Sequence, residues 1–497
     1  MSASTVLRSY QDAAIQVNSK TRSVVAWIEA AEDIVKSLDN LPADQRGPLH
    51  GVPVSVKECY DVKNTVSTAG MAAFANNYPS EDCPLVQMVI KLGGVPFCKT
   101  NVPQVMYSLQ CSNPLYGTSC NPHSKDGYPR ECGGSSGGEG ALIGGGGSML
   151  GLGSDIGGSL RSPVAFCGAL SLKPTVGRHL SQLGVVSPVG PPPVGVLVTG
   201  GYMTRSARAL EQAWRITWSI GREEKILNVQ RNDPNILPPT WDEESYTKQL
   251  TVGYFTEPGM ISPASGCVRA VMEAKTKLEA AGYKVVPFPA PDIDKVLYLF
   301  NGVVMADKNE GMIRNLEYDL MDSSLNGVMA ATMVYNLPWI LKTLVVHPLI
   351  GLLSRAPPIK KLFNKTPELW EAMEDRNHLV KNYLDQMDAA GVDVILTPGQ
   401  MLPAPPTGVL GTMVAGILPY IPWNIMNFPA GIAPVTKWSH KDDEDMKNYV
   451  KDDVLTKMIA SYCDEGCQDM PLSVQVVARP HMDEHILQIL SQLDAGN

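Results

Sequence analysis

Between Gly133 and Pro163 the chain reads "GGSSGGEGALIGGGGSMLGLGSDIGGSLRSP", glycine and serine with little else. A serine becomes a nucleophile when a base takes its proton, and glycine lets a reacting oxygen come close to bare backbone. Ser159 follows "SMLGLGSDIGG" and opens "SLRSPVAFCGAL". The first part suits an extended segment and the second a helix. Ile156, Gly157, Gly158 and Ser159 would then present consecutive N–H groups at a turn. That layout is an oxyanion hole, which stabilises charge developing on an attacked carbonyl. A tight Gly-Gly turn with an exposed serine is the plainer alternative. None of the eight histidines stands out as a base. Lys57 does, as the single charge closing the apolar run "GVPVSV", with Glu58 next. An ordinary lysine, with a pKa of about 10.4, is neutral only about once in a thousand near pH 7. Burial lowers that pKa and makes a usable base. The alternative is a lysine snorkelling from a strand end. Ser135 and Ser136, flanked by glycines, could carry protons between Lys57 and Ser159.

Other motifs fit less well. No Gly-Lys-Ser/Thr occurs, and Gly151, Gly153 and Gly157 miss the GxGxxG spacing by one. "GGSSG" matches the nucleophile elbow GxSxG, but that motif needs a strand directly before the serine. Here "NPHSKDGYPREC" precedes it and reads as loop. "HMDEH", His481 to His485, matches an inverted zinc pattern that would put both histidines on one helix face. Only Asp494 follows as a further acid, so a solvated first turn with acids near a helix N-terminus is the better account. No metal and no cofactor are expected.

The elements that must hold these groups alternate. "GVPVSVKE" reads as a buried strand, "LVQMVIKLGG" as a helix stopped by glycines, and "VPFCK" as the next strand. Strand-like "TVGYF", helix-like "CVRAVMEAKTKLEAAG" and strand-like "KVVPF" repeat the pattern. "VDVILTP", "GIAPVT", "PLSVQVVA" and a helix from about Asp483 close it. Residues 4–38 read as helical, with Val25, Ile28, Ala31 and Ile34 at helical spacing. The alternation predicts an α/β fold: a large twisted, mixed and mostly parallel sheet covered by helices on both faces. One domain over residues 1–497 is expected, with N-terminal helices to 45, a catalytic core at 51–200 and an apolar insert at 333–363.

Composition narrows the classes. The 497 residues carry a net charge of −9, which argues against nucleic-acid binding. Ten cysteines without a Cys-x-x-Cys pair suggest buried thiols in a reducing compartment. The N-terminus has no signal-peptide core, and no run of 18 apolar residues suits a spanning helix. The insert "MVYNLPWILKTLVVHPLIGLLSRAPPIKKLF" holds two apolar pieces interrupted by Pro348 and Pro357. Trp339, Leu344, Leu349 and Leu352 with Lys342, Arg355 and Lys360 at the edges fit an interfacial helix pair. A buried core hairpin is the alternative reading.

Together these segments resemble the amidase-signature family of serine hydrolases, and within it the branch that acts on fatty acid amides. "GVPVSVKE", "TNVPQVMYSLQCSNPLYGT", the Gly-rich stretch, "DVILTP", "NFPAGIAPV" and "MPLSVQVVA" fall in family order. The resemblance implies a Ser–Ser–Lys triad. Ser159 would attack the amide carbonyl, Ser135, at a cis peptide, would be the bridging hydroxyl, and Lys57 the base. The oxyanion hole maps onto Ile156 to Ser159, and Met106 onto a substrate-contacting position. Asp155 and Arg161 would brace the loop; Ile417 and Trp339 would line an acyl channel. The implied partners are a lipid amide and, through residues 335–360, an intracellular membrane surface contacted peripherally; a homodimer is compatible. The rival readings are a soluble amidase or tRNA-amidotransferase glutaminase subunit of the same fold, and a non-catalytic lipid-binding relative.

Overall fold

The computed structural model describes residues 1–180, 184–187, 195–220, 236, 240–337, 366–411 and 413–494. Its strands are β1 Val24–Trp27, β2 Pro53–Lys57, β3 Val95–Thr100, β4 Ser112–Asn113, β5 Gly117–Thr118, β6 Leu150–Asp155 and β7 Leu170–Lys173. Then come β8 Thr199–Thr204, β9 Thr251–Tyr254, β10 Lys284–Pro287, β11 Val394–Pro398, β12 Ala430–Lys437 and β13 Pro471–Ala478. Eleven of them form one sheet in the order β1-β3-β2-β6-β8-β7-β12-β13-β11-β9-β10. The expected mixed sheet is present. Its parallel pairing sits in two outer blocks, β3-β2-β6 and β11-β9-β10. The strands between them pair antiparallel.

The first block makes the site. Because β2 and β6 run parallel, with Ser55 opposite Gly151 and Val56 opposite Leu152, their C-terminal ends emerge side by side. Every residue of β2 and β6 is buried, and both strands end in polar residues, Lys57 on β2 and Ser154 and Asp155 on β6. Two helices, Gly137–Gly144 and Arg161–Cys167, follow the two halves of the Gly-rich stretch and pack on each other. The glycines permit that contact. A Cβ at Gly140 would lie 2.5 Å from Pro163 Cβ, and one at Gly144 2.3 Å from the Cys167 carbonyl oxygen.

Two expectations change. Val25 belongs to β1, an edge strand antiparallel to β3, because the preceding helix stops at Arg22 in the left-handed conformation. β-branched Val24 and Val25 then find hydrogen-bonding partners on β3. The turn around His485 is buried rather than solvated. Arg178 reaches Asp483 and Glu484 at 2.9 and 2.8 Å and draws both acids inward. His481 lies before that helix, which begins at Asp483, so the two histidines do not share a helix face. Among the described residues no cluster suited to a metal ion occurs, and no helix is long and apolar enough to cross a membrane. Most of the 333–363 insert, Trp339 included, lies outside the described residues.

Candidate active site

Lys57 is fully buried at the end of β2, which removes the snorkelling alternative. Its Nζ lies 2.7 Å from Ser135 Oγ and 2.9 Å from Ser154 Oγ. Burial pushes its amine pKa down, against the opposing pull of Cys59, Asp155, Cys111 and Glu139. The direction suits a base that must be neutral to accept a proton. Ser135 follows a cis peptide bond from Gly134. The next residue closes the arrangement: the Ser136 amide donates to the Ser159 carbonyl at 3.3 Å. Ser136 Oγ also spans to Ser154, donating to its carbonyl at 3.3 Å. The start of the helix Gly137–Gly144 is thereby tied to both the end of β6 and the Ser159 turn.

Ser154 is the polar group that sequence reading missed. It sits beside the better-marked Asp155, and only the β2-β6 register shows that its hydroxyl meets Lys57. A neutral amine has two hydrogens and one lone pair. A second partner on Nζ limits how that lone pair can turn.

Asp155 organises the turn. Its carboxylate accepts from the amides of Gly158 at 2.9 Å and Leu160 at 3.1 Å. Arg161 Nε and Nη2 each donate to it at 3.0 Å. Burial would raise the Asp155 pKa, but the Arg161 guanidinium, Lys173 and Asn424 hold it well below the usual carboxylate range. Arg161 spends its remaining donors on the Tyr420 carbonyl, Gln475 and Asn424. The expected bracing roles of Asp155 and Arg161 thus have direct geometry.

The Gly158 N–H donates to Asp155. Gly158 matters for its shape. Its φ is +115°, and a Cβ there would lie 2.5 Å from Tyr420 Cδ2. Gly158→Ala should therefore cost about 1–3 kcal/mol of stability. Activity should fall further than the thermal midpoint suggests. An alanine variant with wild-type melting and turnover would mean that Tyr420 steps aside freely.

Other expected site residues make apolar contacts. Met106 ends a turn, Gln104–Met106, in which Val105 and Met106 both adopt positive φ. Its half-buried side chain packs on the main apolar core, as do those of Ile156 and Ile417. Phe300, on the helix Ile293–Val304, covers the Ser159 turn: a Cβ at Gly157 would be 3.3 Å from its ring. No spacing in the sequence marks that residue.

With this geometry in place, relatedness is informative. The family model "Amidase" matches residues 5–487. The chain is 35% identical over 498 residues to fatty acid amide hydrolase 1 of Caenorhabditis elegans, covering 98% of this chain and 84% of that protein. It is 35% identical over 501 residues to the Sus scrofa protein of that name, covering 99% and 83%. A solved fatty acid amide hydrolase superposes with a TM-score of 0.82 at 24% identity, over 99% of this chain and 82% of that one. 6-Aminohexanoate cyclic dimer hydrolase has the same fold, with a TM-score of 0.71 at 19% identity, over 99% and 93%.

Proposed function

Because the chain belongs to the amidase family of amide-hydrolysing enzymes, we propose that it hydrolyses fatty acid amides through Ser159, Ser135 and Lys57. The observation that carries the mechanism is the buried Lys57 amine 2.7 Å from Ser135 Oγ, with Ser159 tied to the adjoining peptide. Ser159 Oγ attacks the carbonyl carbon while its proton passes through Ser135 to neutral Lys57. The amides of Ile156, Gly157 and Ser159 stabilise the oxyanion. Lys57 then returns the proton, again through Ser135, to the departing nitrogen, which is a poor leaving group as an anion. Water cleaves the resulting acyl-enzyme by the same route.

The lipid substrate rests on separate support. Two curated relatives matched over nearly all of this chain are fatty acid amide hydrolases by name. Phe300 gives the turn an apolar wall. Described residues at the start of the insert and on both sides of it are exposed and apolar: Met333 at 66%, Tyr318 at 94%, Leu320 at 77% and Trp370 at 68%. Such exposure suits contact with a membrane surface, from which a lipid amide would enter.

Turnover across N-acyl amides of increasing chain length tests the substrate class. Long-chain amides should be favoured by roughly tenfold or more in kcat/KM, consistent with burying several methylenes. The protein should also co-sediment with anionic liposomes. A preference for acetamide-sized substrates together with no sedimentation would favour a soluble amidase of this fold.

A further inference from the structure

The carboxyl of Glu139 has no place in the relay from Ser159 to Lys57, yet it is fully buried beside it. It projects from the first turn of the helix Gly137–Gly144, four residues after Ser135. Ser55 Oγ lies 2.6 Å from its Oε2 and Thr100 Oγ1 2.8 Å from its Oε1. These two hydroxyls frame Lys57. Ser55 stands two residues earlier on β2, hence on the same face, and Thr100 is the register partner of Lys57 on β3. The carboxyl therefore meets the sheet on the face that carries the base.

Each hydroxyl also has a second acceptor. Ser55 Oγ is 3.5 Å from the Leu150 carbonyl, and Thr100 Oγ1 is 3.5 Å from the Val56 carbonyl. When the carboxyl is ionised, both hydroxyls donate to it. When it is protonated, one hydroxyl accepts a hydrogen bond from the carboxyl O–H and turns its own hydrogen towards the backbone carbonyl. The pocket accommodates either charge state by rotating a hydroxyl, an arrangement that a purely structural carboxyl does not need.

The surrounding groups single out this pair. Lys57 faces Glu139 from β2, and Cys98 on β3 feels its charge. Cys59, Cys111 and Asp155 face Lys57. Burial pushes the Cys59 thiol up to about 11 and the Cys98 thiol well above its ordinary value. Asp155 is held ionised by Arg161. Burial raises Glu139 to about 8, against Ser55, Thr100 and Lys57, while it lowers Lys57.

We propose that Glu139 and Lys57 share one proton, making Glu139 a positioning residue that sets the pH at which Lys57 becomes a free base. An ionised Glu139 holds the proton on Lys57. A protonated Glu139 leaves Lys57 neutral beside Ser135. The inference rests on Lys57 being the base.

The test is the second-order rate of Ser159 phosphonylation by an alkyl fluorophosphonate, followed in the full chain from about pH 5 to 10. Glu139→Gln keeps the shape but cannot ionise. Its acid limb should move to lower pH by roughly one unit, with the plateau rate held within a fewfold. A limb superimposable on the wild type overturns the inference, as does a collapsed plateau in a folded variant. Ser55→Ala removes a donor that favours the ionised carboxyl, so its limb should move the same way; it decides the matter if the Gln variant does not fold. Lys57→Ala separates the two claims. A limb lost there but unmoved in Glu139→Gln removes only the proton sharing. A limb that persists in Lys57→Ala removes the base reading with it.

Discussion

Ser159→Ala should abolish amide turnover and covalent labelling by an alkyl fluorophosphonate while the fold persists. The loss in kcat should be on the order of a millionfold, the scale seen when a serine nucleophile is removed from an otherwise intact site. Stability should hardly change, because the Ser159 contact that matters for the fold is its backbone carbonyl, which accepts from Ser136. Ser135→Ala offers the informative contrast. It leaves the attacking oxygen in place and removes the bridge to Lys57, so labelling should be slowed yet still occur at Ser159. The labelled peptide, identified by mass spectrometry, decides between the two serines. A label on Ser135 in the wild type would assign the nucleophile to the GxSxG match and reject the present assignment.

Lys57→Ala should slow acylation by about 10²–10⁴-fold. The remaining rate should climb steeply towards alkaline pH, where hydroxide replaces the missing base. The sign follows from burial. The Lys57 pKa is lowered in the folded protein, so the wild-type rate rises as pH passes through that lowered value and then levels. Without Lys57 there is nothing to titrate and no levelling. An unchanged profile would take Lys57 out of the chemistry. Steady-state kinetics of a simple amide across pH, paired with a melting curve, separates this effect from unfolding. The cavity left beside Ser135 and Ser154 should itself lower stability, as loss of a buried, doubly bonded side chain usually does.

The strands that carry the site were readable because their chemistry is local. A lysine at the end of a five-residue buried strand announces itself. So does a serine between a strand and a helix whose intervening residues are glycines. Ser154 was not readable, because its importance depends on which residue of β2 lies opposite β6, and register is a cross-strand property. The bond from the Gly158 N–H to Asp155 was not readable either, because the direction of a side chain cannot be seen in a string of letters. The buried turn at Asp483 depends on Arg178, far away in the chain. Val24–Trp27 looked helical because apolar spacing of three is shared by a helix and by a short strand followed by a helix. The antiparallel middle of the sheet had no local mark either, since both orientations draw on the same apolar runs.

Arg161 carries a consequence for when the Ser159 turn is fully anchored. Lys57, Ser135 and Ser159 all lie in the first third of the chain. The donors that fix the Ser159 turn are anchored much later, on the Tyr420 carbonyl, Asn424 and Gln475. A nascent chain that has already exposed all three reacting side chains still lacks the partners of this guanidinium. The Ser159 turn therefore gains its last side-chain anchors only once the segments that carry Tyr420, Asn424 and Gln475 have docked on it.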